Sequence, residues 1–140
     1  MADQIAQLIR LRTWELDEKR RDLSAILAEI AGYRQKLSDL EDELSQEQKV
    51  AAAAPVVAGF NYGAYAEEVI NRRRRIKEDI IEAEGRADLA NEEVSECFRE
   101  LKKAERTMEI RDQRETERLA RLDQAEMDEL ARNMHRHSDN

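Results

Sequence analysis

His135, His137 and Asp139 lie close together in the polar tail MHRHSDN and are the first candidates for chemistry. Two imidazoles and a carboxylate can ligate a divalent metal, but structural and catalytic zinc sites draw on three or four converging ligands. No cysteine is near in sequence, so a frayed terminus is the simpler expectation. The single Cys97 has no intrachain partner for a disulfide, and its place on an apolar stripe makes it a small hydrophobe rather than a nucleophile. The chain has no glycine-rich phosphate loop, no GxSxG and no CxxC. Its many carboxylates fall at exposed helical positions, where no desolvated pocket tunes them for acid–base work. The expectation is a protein that is not an enzyme, with no catalytic residue, no metal and no cofactor.

Charge narrows the partners. A net charge of −8 argues against a general nucleic-acid binder, which needs a basic face to displace counterions. The run of four arginines at 72–75 is the local exception, and Glu67, Glu68, Glu78, Asp79 and Glu82 flank it. The longest apolar run, residues 50–60 around Pro55, is far shorter than the roughly 20 residues of a membrane span. The N-terminus lacks the basic and apolar regions of a signal peptide. A soluble cytoplasmic protein without direct membrane insertion is expected.

What must position any functional surface is helix. Charged residues make up 40 % of the chain and aromatics 4 %, with four glycines and one proline, the composition of long solvated helices. Apolar residues follow a 3,4 spacing over about six heptads in each half, the signature of a coiled-coil seam. The first seam runs through Ile5, Ile9, Leu16, Leu23, Ile26, Ile30, Tyr33, Leu37, Leu40 and Leu44, interrupted by Arg12 and Lys19. The second runs from Ala66 and Val69 through Ile76, Ile80, Ala83, Ala87, Ala90, Val94, Cys97, Leu101 and Ala104 to Met108, interrupted by Arg73. The fold class is therefore all-α: two long helices in an antiparallel coiled-coil hairpin, the second overhanging the first. Helix 1 is expected over about residues 3–49, a turn over about 50–61 where Pro55 and Gly59 interrupt, and helix 2 from an Asn61 N-cap over about 62–135. Helical rise gives roughly 70 Å and 100 Å or more for the two arms.

Register follows from side-chain size. With the turn centred near Val56 and Val57, Ile30 meets Ala83, Ile26 meets Ala87, Leu23 meets Ala90 and Ile9 meets Ala104, so large residues face small ones. The flanks then pair Glu43 with Arg72, Lys36 with Asp79 and Glu29 with Arg86, whereas Asp22–Glu93 and Glu15–Glu100 set like charges together. Residue 3 lies opposite residue 110, and helix 2 continues alone. Beyond that point apolar residues return in a new phase at Leu119, Leu122, Met127, Leu130 and Met134. A single amphipathic helix is marginal in water, so a partner is expected there. At the same end Leu11 and Trp14 point away from the seam, and Trp is favoured as an interface anchor. Tyr62 and Tyr65 stand at the start of helix 2, where packing under the turn and docking a partner are equally open.

The tail ARLDQAEMDELARN at 120–133 resembles the C-terminal signature of the flagellar type III export protein FliJ family. The matching residues are Arg121, Asp123, Gln124, Met127, Asp128, Glu129, Leu130 and Ala131. The segment Asn61, Tyr62, Gly63, Ala64, Tyr65 is similar to the Asn-Tyr-x-x-aromatic start of that family's second helix. The resemblance implies a stalk-like coiled coil, similar to the rotor subunit of rotary ATPases. It would associate with the hexameric export ATPase and promote its assembly, touch the export-gate membrane protein, and serve substrate-specific export chaperones. It further implies a place at the cytoplasmic face of the flagellar basal body. By position, gate-facing residues correspond to Leu40, Tyr65, Val69 and Ile76, although Glu43, Glu47 and Arg72 depart from the family pattern beside them. The ATPase end would carry Leu11, Trp14, Leu119, Leu122, Met127, Leu130 and Met134. A virulence injectisome stalk and a purely structural coiled-coil dimer are the alternatives. The alanine-rich second seam, matched to a bulkier first, favours pairing within one chain.

Overall fold

The computed structural model describes the backbone of residues 2–53 and 55–139 and the side chains of residues 4–53 and 62–139. Helix α1 spans Ala2–Ala53 and α2 spans Pro55–Ser138, with no strand among the described residues. The two helices pack against each other as a helical hairpin. Contacts divide the chain into two units, one of Met1–Leu16 with Cys97–Asn140 and one of Asp17–Glu96.

Every buried side chain among the described residues falls on the seams: Leu16, Ile30, Leu40, Val69, Ala83, Ala87, Ala90, Leu101 and Ala104. In the second unit Ile30, Ala83 and Ala87 form a buried cluster, with Leu23, Ile26 and Tyr33 packed around it. Ala83 is fully closed to solvent beneath Ile30, the large-on-small layer expected from the register. Above this cluster the Tyr33 hydroxyl donates to Glu29 at 3.0 Å, and Arg86 reaches Glu29 at 2.8 Å and Glu82 at 2.7 Å. The Arg86 guanidinium, then the Tyr33 hydroxyl, hold the Glu29 carboxyl below its ordinary range. Glu29 in turn holds the Tyr33 phenol above its own.

The three polar interruptions of the seams all bridge the helices. In the first unit Arg12 reaches Glu100 at 3.9 Å; in the second, Lys19 reaches Glu93 at 3.0 Å and Arg73 reaches Glu41 at 4.0 Å. Glu93 and Glu100 are the two glutamates that the flank positions set against like charges. Long side chains at the seam run their apolar stems along it and carry their cations out to these carboxylates. Each such exposed pair contributes only about 0–1 kcal/mol, so their effect is on register more than on stability. The expected Glu43–Arg72 pair is present at 4.0 Å, and Arg72 also holds Glu68 at 2.9 Å. Two arginines of the 72–75 run are thus engaged by carboxylates on both helices.

The helix boundaries differ from expectation. Residues 50–53 belong to α1, and α2 begins at Pro55 rather than near residue 62, so the 50–61 stretch is helical on both sides of Ala54. Proline itself is well suited to a first helical position, because its missing N–H is one that no helix uses there. Asn61 consequently stands inside α2 instead of capping it. The side chains of Val56, Val57, Gly59 and Asn61 lie outside the described residues. At the other end α2 continues through Ser138, three residues past the expected 135.

Candidate functional site

From Arg111 to Asp139 every residue is exposed, so this arm of α2 has no covering helix. The apolar residues singled out in it are open to solvent by about half or more: Leu119 and Leu122 at 49 %, Met127 at 64 %, Leu130 at 56 % and Met134 at 66 %. In the same unit Trp14 is 60 % exposed and Leu11 48 %, on α1. Leu8 lies one turn before Leu11 and is 39 % exposed, so the apolar ridge on α1 is longer than the two residues expected. Its seam-flanking position is the signal that could have found it, since an aliphatic residue there neither completes a layer nor carries charge.

Where α1 starts, a shallow cleft of about 770 Å³ opens between Ile5 and the arm. Met108 and Ile5 give it an apolar floor, and Arg111, Arg114, Arg118 and Arg121 line it with Asp112 and Glu115. The arginines recur at 3,4 spacing because they continue the seam phase of Ala104 and its flank. Glu115 holds Arg118 at 2.7 Å, which keeps the carboxyl below and the guanidinium above their ordinary ranges. Farther on, Glu129 holds Arg132 at 3.0 Å. The arm is thus a helix lined with apolar anchors, arginines and self-paired charges.

The residues assigned by resemblance to the gate lie together in the second unit, with unequal exposure. Leu40 and Val69 are 5 % and 2 % exposed at their seam positions; Tyr65 and Ile76 are half-buried. An incoming surface would reach Tyr65, Ile76 and the neighbouring Ile70, which is 63 % exposed and was not singled out from sequence. The Tyr65 hydroxyl is enclosed beside the Glu43 carboxylate. Its enclosure, then the nearby Glu43 and Glu47 carboxylates, push its ionisation up, with Arg72 opposing. Glu43 and Glu47, departures from the family pattern, therefore shape the setting of Tyr65.

The two histidines of the tail do not converge. Because α2 continues through Ser138, His135 and His137 sit two residues apart on a helix and point about 160° apart. His135 instead lies 3.4 Å from Asp139, and no group of three or more metal-ligating side chains occurs among the described residues. Cys97 is half-buried at its seam position. Among the described residues no helix is long and apolar enough to cross a membrane.

No curated protein and no solved structure matches the chain. The flagellar FliJ protein family matches it over residues 1–140, and with its paired helices and bare C-terminal arm the chain belongs to that family of non-catalytic flagellar export components.

Proposed function

We propose that this protein is the stalk of the flagellar type III export apparatus, binding the hexameric export ATPase through the free arm of α2 and promoting its assembly. The observation that carries this reading is the bare arm itself: residues 111–139, all exposed, which keep five large apolar side chains in water. A helix of this kind, without tertiary packing, is marginal on its own, and laying an amphipathic helix into a groove is a common mode of recognition. Leu11 and Trp14 add anchors at the same end. The patch around Tyr65 and Ile76 is assigned to the export gate, and export chaperones are the remaining clients. Work at the cytoplasmic face of the basal body follows from these partners.

The test is deletion of residues 119–140. Since none of the buried seam lies there, the shortened chain is expected to keep the helicity and cooperative melting of the hairpin while losing stimulation of ATP hydrolysis by the cognate hexamer. Full stimulation by a folded truncation would move the contact back onto the paired helices.

A further inference from the structure

We infer that the free arm of α2 also pairs with the same arm of a second copy of this chain, antiparallel, through a face separate from its Met127–Leu130–Met134 side. The observation is the order of residues along the continued seam: Glu115, Arg118, Leu122, Ala125, Glu129 and Arg132, each exposed. The sign of charge runs minus, plus, then apolar, then minus, plus. Read backwards, that sequence is complementary to itself.

Laid antiparallel with Leu122 opposite Ala125 of the second copy, the arms set Arg118 opposite Glu129 and Glu115 opposite Arg132. Two-fold symmetry repeats each pair, as an isologous interface requires. The central layers are large on small, the same solution that α1 and α2 use in Ile30 over Ala83. On the flank Arg121, which holds no ion pair among the described residues, meets Asp128, which now only accepts from Gln124 at 3.0 Å. Within one chain Glu115 pairs with Arg118 and Glu129 with Arg132; association exchanges these short-range pairs for pairs between copies. The remaining flank positions set Arg114 beside His135 and Leu119 beside Glu126, and at the outer ends Arg111 meets Arg136, so the complementary stretch closes there.

Other arrangements are worse. Sliding by one heptad sets Arg118 against Leu122, or Leu122 against Arg132. Parallel copies set each seam charge against itself. A uniformly acidic partner helix would meet Glu115 and Glu129 as well as the arginines, so the alternation of sign favours the chain's own reversed copy over a simple polyanion. Met127, Leu130 and Met134 lie on the outer side of the paired arms and stay open. The pairing goes beyond the ATPase contact proposed above but shares Leu119 and Leu122 with it, leaving Met127, Leu130 and Met134 to the hexamer.

Only two layers are apolar, and charges brought together at a seam lose hydration that their pairing largely offsets. The dimer is accordingly weak, with a dissociation constant on the order of 10–100 μM at low salt, and salt weakens it. Sedimentation equilibrium of the full chain over this concentration range tests it. Arg118→Glu alone and Glu129→Arg alone each turn two attractive contacts into repulsive ones and are expected to weaken association at least tenfold. The double variant Arg118→Glu/Glu129→Arg restores the complement and is expected to return to within about threefold of the parent. Glu117→Lys, on the outer face, serves as the control and leaves association unchanged, with circular dichroism following helicity throughout. A chain that stays monomeric at all concentrations overturns the inference. So does a dimer indifferent to the single reversals, or a double variant no better than either single one.

Discussion

Replacing Leu16 by cysteine places a second thiol opposite the native Cys97. Both residues lie in the first unit, where the Arg12–Glu100 bridge and the buried Leu101 and Ala104 carry the register. Alanine at 104 lets the backbones approach there, and facing seam residues can come within disulfide reach. The magnitude has two parts. Leu16 is 3 % exposed, so trimming it costs about 2 kcal/mol, the low end of large-to-small changes because cysteine keeps a γ atom. Closing a loop of about 80 residues removes about 4.5 kcal/mol of freedom from the unfolded chain. Reduced, Leu16→Cys is therefore expected to be about 2 kcal/mol less stable than the parent; oxidised, about 2 kcal/mol more stable. Urea denaturation of dilute protein with and without reductant reads both numbers, and a non-reducing gel reads the topology. Intermolecular crosslinks alone, or an oxidised form less stable than the reduced one, would refute the antiparallel register at this layer.

Two further outcomes follow. Tyr65→Ala together with Ile70→Ala is expected to weaken binding to the export-gate protein several-fold in a pull-down while leaving helicity intact; unchanged binding would remove the gate assignment from this patch. Glu29 has its pKa depressed by Arg86 and Tyr33, so its contribution is present above the ordinary glutamate range, about pH 4.3, and is lost as pH falls through its lowered folded value. Thermal melts should therefore lose more stability on acidification in the parent than in Glu29→Gln, and identical pH profiles would show that the network does not act on stability.

The seams and their phase were legible in the residues because a 3,4 spacing allows one buried stripe per helix, and each buried side chain among the described residues lies on it. Register was legible for a related reason: Ile30 needs a small partner and Ala83 supplies one. Helix ends were less so. Pro55 reads as a breaker in the middle of a window, yet the same ring is favourable in a first turn, and nothing local distinguishes the two roles. The like-charge flanks were misjudged because each position was paired only with its geometric opposite. Arg12 and Lys19, taken as interruptions, are long enough to reach past that position to Glu100 and Glu93. At the candidate sites, the phase change after Met108 announced the bare arm. The resemblance that marked Leu40 and Val69 carried no information about burial, and the exposed Ile70 beside them had no pattern to betray it.

The bulky face of α1 and the alanine face of α2 have a consequence for how such a sequence can drift. Two α1 faces set together would collide, and two α2 faces would leave a gap, so each helix recognises only its unlike mate. What packing constrains in a layer is then the combined volume of the two residues, not the identity of either. Ile30 could give way to alanine wherever position 83 grew to compensate, and the hairpin would keep its register while its two strips traded residues. Chains with little resemblance position by position could share this hairpin, provided the sums across the seam stayed level from one end to the other.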